Sequence, residues 1–252
     1  MTVTIAEPMR LRTLLDSVQY AVSTDLTRYN LNGIQLERDG DELLAIATDG
    51  HRLSCHRVAD FPLPIPDRGC IVPMHALKAI RKSLHRKGGQ SPHEGDFAHH
   101  DGGFVMVPFR RPEVSVAPFD ADGADLGDFP KWRQVVPPHN VASDFVKVAD
   151  ANALADAFEV LGAIRRPVKV ETTGSAIRLS VEAKLNGGTI TGSSSHDAIG
   201  GPPADLAVDG SYMADALRAL GGEVEIRFDA DPLTPLMVRR GSNFELVMPM
   251  PD

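Results

Sequence analysis

Residues 3–18, VTIAEPMRLRTLLDSV, and residues 146–161, VKVADANALADAFEVL, stand 143 positions apart and share one pattern. Each begins with a short strand-like run and then carries an acidic residue suited to a helix start. In the first copy Leu11, Leu14, Leu15 and Val18 follow at helical spacing. Leu154, Ala157, Phe158 and Leu161 take the same places in the second. Steps of three and four residues put such side chains on one stripe of a helix. The spacing therefore predicts a strand followed by an amphipathic helix, twice.

The echo continues beyond each helix. Ile34 and Leu36, a turn at Asp39-Gly40, then Leu44 and Ile46 read as a hairpin; so do Val168 and Val170, a turn around Gly174, then Ile177, Leu179 and Val181. A second helix is predicted in each half, over 74–86 and over 211–220 with Ser211 as N-cap. Both run into a Gly-Gly stop, Gly88-Gly89 and Gly221-Gly222. Strands over 223–228, 236–239 and 244–248 close the second half. Two unrelated domains would not share this order, so the fold class is α+β: two tandem domains, each with two helices packed on antiparallel sheet. The boundary is placed at Pro137-Pro138-His139-Asn140, giving domains 1–138 and 139–252.

Bulk properties narrow the function. The 252 residues contain no run of about 18 apolar residues that would span a membrane, and the N-terminus lacks a signal peptide's regions, so a cytoplasmic protein with no membrane partner is expected. Cys55 and Cys70, the only cysteines, lack metal spacing and read as buried thiols. The net charge is −8, yet residues 68–90 carry Arg68, Lys78, Arg81, Lys82, Arg86 and Lys87 with no Asp or Glu. Such segregation of sign suits a surface that neutralises phosphates on an otherwise acidic protein. Ser193-Ser194-Ser195-His196-Asp197 has the residue types of a nucleophilic triad but reads as a loop, since sequence neighbours rarely converge into the relay. His93, His99, His100 and Asp101 read as a solvated loop without metal-site spacing. With no P-loop, dinucleotide turn or paired acidic motif, a non-catalytic protein with no metal and no cofactor is expected.

Residues 28–55, RYNLNGIQLERDGDELLAIATDGHRLSC, resemble the second domain of the bacterial DNA polymerase III β subunit, the sliding clamp. The stretches DFPKWRQVVP (128–137), GSYMADALRALGG (210–222) with DPLTP (231–235), and VMPM (247–250) agree with the same family and follow its order. The family has three domains of one fold, and this chain matches the second and third. The resemblance implies two tandem DNA-clamp domains whose helices line a ring interior. It implies that the chain encircles duplex DNA without reading sequence, confers processivity on a replicative or repair polymerase, and binds polymerase and clamp-loader subunits through short linear motifs. Six domains per ring would make it a homotrimer. The alternative is a clamp-derived module that binds such motifs without encircling DNA.

DNA contacts are expected from Arg10 and Arg12 on the first helix, from Lys78, Arg81, Lys82 and Arg86 on the second, and from Arg218 on the fourth. By resemblance, Arg28 and Tyr29 belong to a loop near the hole. Asp156 and Glu159 make the third helix a poor match, which shifts the expected DNA-facing charge toward the first domain. The partner-peptide pocket implied by the resemblance comprises Leu31, Thr48, Gly50, His51, Arg52, Leu53, Pro130, Gln134, Val135, Tyr212, Leu233, Pro235, Leu246, Val247, Met248, Pro249 and Met250. Its Leu, Val and flexible Met side chains suit varied apolar anchors, with Arg52 and Tyr212 as polar ends. The ending Pro251-Asp252 and Gln134, where the family commonly has Arg, depart from the pattern.

Overall fold

The computed structural model describes residues 2–5, 8–61, 65, 69–74, 77, 95–100, 103–107, 114–115, 127–137, 145–185, 188–229, 231 and 233–251. The chain divides into two compact units: Met1–Gly50 with Ser54–Lys131, and His51–Leu53 with Trp132–Asp252. The expected boundary residues Pro138, His139 and Asn140 lie outside the described residues.

In the first unit, β1 (Thr2–Ile5) leads into α1 (Pro8–Val18), followed by β2 (Gly33–Asp39), β3 (Glu42–Thr48), β4 (Arg52–Ala59), β5 (Cys70–Pro73), β6 (Gly95–His100), β7 (Gly103–Val107) and β8 (Val114–Ser115). The first two residues of β4 group with the second unit. Strands run in the order β5-β2-β3-β4 in one sheet and β1-β6-β7-β8 in another. The stripe read from the sequence is the buried face of α1: Leu11, Leu14, Leu15 and Val18 pack with Ile34, Leu36, Leu43, Ala45, Ala47, Phe61 and Val72. The predicted turn is present, with Gly40 at φ 59° between β2 and β3. Of the predicted helix over 74–86, Met74 and Leu77 are helical and Leu77 is buried; the rest, with Gly88-Gly89, lies outside the described residues. His99 and His100 stand in β6 rather than in the expected loop, paired with Phe104 and Gly103 of β7. His93 and Asp101 lie outside the described residues.

The second unit repeats the plan with β9 (Phe145–Val148), α2 (Ala151–Ile164), β10 (Val168–Thr172), β11 (Ala176–Leu185), β12 (Gly188–Asp197), β13 (Ala204–Val208), α3 (Gly210–Leu220), β14 (Val224–Arg227), β15 (Leu236–Arg240), β16 (Asn243–Val247) and β17 (Pro249–Met250). Its sheets run β12-β11-β10-β13-β17 and β16-β15-β14-β9. Leu154, Phe158 and Leu161 of α2 and Met213, Leu217 and Leu220 of α3 face one core with Val168, Val170, Leu179, Ile226 and Val238. The two helices approach closely at glycine: a methyl on Gly210 would come 2.6 Å from the Phe158 carbonyl oxygen and 3.0 Å from the Gly162 Cα.

Both helices start on a carboxylate. Asp150 accepts from the amides of Asn152 (3.0 Å) and Ala153 (3.1 Å). In α3 the cap is Asp209, not the expected Ser211, which lies inside the first turn. The Asp209 carboxylate is the group that the free amides of Ser211 and Tyr212 reach. The helix ends as read, on Gly221 and Gly222 at φ 58° and 64°. A second difference is Ser193–Asp197, expected as a loop but part of the edge strand β12, which pairs with β11 from Gly188 to Asp197. Small polar residues exposed on an edge give no apolar alternation to read.

Candidate functional site

One corner of the second unit gathers several expected pocket residues. The amide of Met248 donates to the His51 carbonyl (2.9 Å), which fixes the His51–Leu53 segment beside the Met-Pro-Met run. Strand β17 pairs with the end of β13, Pro249 against Val208 and Met250 against Ala207, so this run lies next to the start of α3. There the Arg52 guanidinium sits 4.3 Å from the Tyr212 ring centroid and donates to Asp215 at 2.7 Å. A second guanidinium, Arg166, lies 5.6 Å from the same ring. Both distances are within cation–π reach. Arg166 forms an ion pair with Asp209 and donates to the Ser211 hydroxyl at 3.2 Å. Asp209 is buried and also accepts from the Ser211 amide (2.9 Å), the Ser211 hydroxyl (2.6 Å) and the Tyr212 amide (3.3 Å). The cap, the ring and the arginine are thereby one assembly, joined by hydrogen bonds, an ion pair and a cation–π contact.

Its surface is mixed. Met248, Pro249, Met250, Arg52 and Tyr212 are half-buried and His51 is exposed, while Leu53, Leu246 and Val247 lie in the packed interior. Gln134 and Val135 are exposed on a 3₁₀ turn, Trp132–Val135, anchored by the buried Trp132 with its ring 6.3 Å from that of Phe244. Leu233, 79% exposed, is displayed by a turn in which Asp231 accepts from the amides of Leu233 and Thr234; Pro235 is half-buried beyond it.

Leu31, Thr48, Gly50 and Pro130 belong to the first unit. Leu31 is buried at the end of a 3₁₀ turn, Tyr29–Leu31. Thr48, also buried, accepts from the Gly50 amide at 3.1 Å. Gly50 has φ 93°, and a Cβ there would stand 2.9 Å from an Arg28 nitrogen, so both backbone and space favour glycine. Pro130 is exposed.

The expected DNA contacts divide differently. Arg10 donates to the Ala59 carbonyl at 2.6 Å and Arg12 pairs with Asp16 at 3.4 Å. Arg28 donates to the Asp49 carbonyl at 3.0 Å and pairs with Asp25; Tyr29 beside it is 60% exposed. Hydrogen bonds from the Thr27 hydroxyl and amide hold the Asp25 carboxyl below its ordinary range. Arg218 on α3 is clasped by two carboxylates of α2, Asp156 at 2.9 Å and Glu159. Those bonds, Asp156 first, raise the Arg218 pKa further and spend its charge inside the protein. The exposed face of this helix pair is therefore not cationic. Lys78, Arg81, Lys82 and Arg86 lie outside the described residues.

Other groups are plain in their surroundings. Ser194 and His196, alternate residues of β12, meet at 2.9 Å, and Asp197 falls on the opposite face by strand alternation. A cavity of about 460 Å³ on the sheet formed by β10 to β13 is lined by Arg165, Lys169, Ser180, Glu182, Thr191 and Ser193 among others, but Lys169 is already held by Glu171 and Asp205. No helix among the described residues is long and apolar enough to cross a membrane. Both thiols are buried, and burial pushes that of Cys70 strongly up. Arg166, Asp209 and Asp215 are the members of the corner that the sequence did not reveal. The Asp209-Gly210-Ser211 order before a helix is an N-cap signal that could have found one of them.

The family model for the DNA polymerase III beta subunit, central domain, matches residues 6–91. The beta sliding clamp of Rickettsia bellii is 27% identical over 238 residues, covering 90% of this chain and 60% of that protein. The clamp of Caulobacter vibrioides is 29% identical over 239 residues, covering 89% and 58%. Residues 6–91 thus resemble the central domain of that family, and the similarity to beta sliding clamps extends over about nine tenths of the chain. The fold agrees across its whole length: the Pseudomonas aeruginosa DNA polymerase sliding clamp superposes with TM-score 0.78 at 22% identity, covering 100% of this chain and 66% of that one. The Caulobacter crescentus pol III beta structure gives 0.78 at 24%, covering 100% and 65%. The chain thus spans about 60% of the length of the curated beta sliding clamps it matches.

Proposed function

We propose that this chain is a DNA sliding clamp, a non-catalytic accessory subunit that encircles duplex DNA and tethers a replicative or repair DNA polymerase and its clamp loader through their short linear motifs. The observation that carries this reading is the corner of the second unit. His51, Arg52, Tyr212, Met248, Pro249 and Met250, distant in sequence, are held together there with their side chains at the surface. Flexible Met side chains beside an aromatic ring with cationic neighbours suit a peptide that carries apolar anchors. Gln134, Val135, Leu233 and Pro235, of the same unit, complete the proposed pocket. Leu53, Leu246 and Val247 support it from the interior. Arg10, Arg12, Arg28, Tyr29 and the basic residues Lys78, Arg81, Lys82 and Arg86 are the proposed DNA contacts, and such contacts need no base recognition for a ring that slides. The proposed ring is a homotrimer, in which three copies of the two-unit chain supply six units, and its proposed place of work is the cytoplasm.

The test is retention on nicked circular plasmid in the presence of a clamp loader, followed by linearisation with a restriction enzyme. Topological linkage predicts that protein elutes with the circle and is released when the ends are cut. Protein that stays bound after linearisation, or that never co-elutes with the circle, would refute encirclement.

A further inference from the structure

We propose that Arg166 makes the pocket of the second unit selective for partner peptides that carry a side-chain carboxylate next to their apolar anchors. This rests on reading that corner as a peptide pocket. Two guanidinium groups flank Tyr212, and they differ in what they have left to offer. Arg52 is 13% exposed and directed at Asp215, so its role is to brace the ring. Arg166 is 54% exposed. Its contacts with Asp209 and Ser211 both go through Nη2. A guanidinium has five N–H donors in a planar fork, and among the described residues Nε and Nη1 of Arg166 meet no acceptor.

The open edge of that fork is held in place. Asp209 is buried, fixed by two backbone amides and a hydroxyl, and its pairing with Arg166 orients the guanidinium from behind. The pair with Asp209 occupies one edge of the guanidinium and leaves the other edge of this half-exposed side chain to a second acceptor. An apolar anchor lying against Tyr212 brings the adjoining peptide residue to Arg166. A carboxylate there gains charge-assisted, fork-shaped hydrogen bonds, an amide gains less, and an ammonium is repelled.

The probes are fluorescein-labelled peptides with amidated C-termini and a fixed pair of leucine anchors. Asp, Asn or Lys is placed in turn at each of the three positions adjoining the anchors, and binding to the intact protein is read by fluorescence anisotropy. The expected result is one position at which Asp binds about tenfold more tightly than Asn, with Lys weaker than both. Arg166→Gln should reduce the Asp-to-Asn ratio to about twofold or less, and Arg166→Lys, which keeps the charge but loses the fork, should leave an intermediate ratio. Should the Gln variant prove unfolded by circular dichroism, the Lys variant carries the comparison. Peptides that bind without discriminating, or a ratio unchanged in both variants, would overturn this inference alone. Failure of every peptide to bind the unmodified protein would overturn the pocket reading with it.

Discussion

Asp209 carries more than one interaction, and the chemistry of its carboxylate separates them. As an N-cap it satisfies two amides that would otherwise lack partners, an effect worth about 1–2 kcal/mol. As an anion it fixes Arg166 beside Tyr212. Asp209→Ala removes both, and Asp209→Asn keeps an acceptor for the amides while removing the charge. Differential scanning calorimetry should therefore show the Ala variant melting several degrees lower and the Asn variant intermediate; equal melting temperatures for Ala and the unmodified protein would mean that the cap contributes nothing. Ser211 was the legible choice of cap, since the helical pattern starts near it, and the carboxylate two residues earlier prevails because an ionised acceptor makes the stronger bonds to free amides. Arg166 could be read only as a basic residue after a helix. Its approach to Tyr212, 46 positions on, depends on a turn and a strand placement that no local pattern encodes.

At the scale of elements, the two helices of the second unit show how much a stripe of apolar residues reveals and where it stops. Leu154, Phe158 and Leu161 mark the buried face of α2, and all three are in the core. What the stripe does not announce is how near α3 can come. Gly210 is a point of close approach, and Gly210→Ala should destabilise by about 1–3 kcal/mol because the added methyl meets backbone atoms that cannot move independently. Gly162→Ala, whose methyl would sit 3.3 Å from its nearest neighbour, should be closer to neutral, since helix propensity offsets the tighter contact. Urea titrations of the two variants check the order. The opposite faces of the same helices bear on Arg218, which was expected to contact DNA. Its basic type and helical position pointed to phosphate, but Asp156 and Glu159, about 60 residues away in the chain, reach it first. Asp156→Asn with Glu159→Gln would release that charge. If this face looks onto DNA, duplex affinity at low salt should rise and the slope of log K against log salt should steepen by about 1. A slope identical to that of the unmodified protein would place Arg218 away from the phosphates.

For the whole molecule, the repeat was the most legible property because it is written twice. A strand and an amphipathic helix recur 143 positions apart, and both copies fold as read. Assembly is less legible, since any oligomer is a relation between copies and leaves no periodic mark in one chain. Multi-angle light scattering at micromolar concentration should give about 82 kDa, three times the chain mass of 27.2 kDa, if six units close the ring. A species near one or two chain masses would count against it. With a net charge of −8 per chain, a ring of three would carry a large overall negative charge; if it encloses DNA, the duplex would have to meet local basic surface, and loading should be sensitive to ionic strength. The two thiols have a separate bearing on such measurements. Cys55 and Cys70 are buried, and burial keeps the Cys70 sulfur in its unreactive protonated form. The native fold is therefore close to silent toward maleimide reagents, and a single cysteine introduced at an exposed position would take up a fluorophore alone, one dye per chain, leaving both native thiols in place.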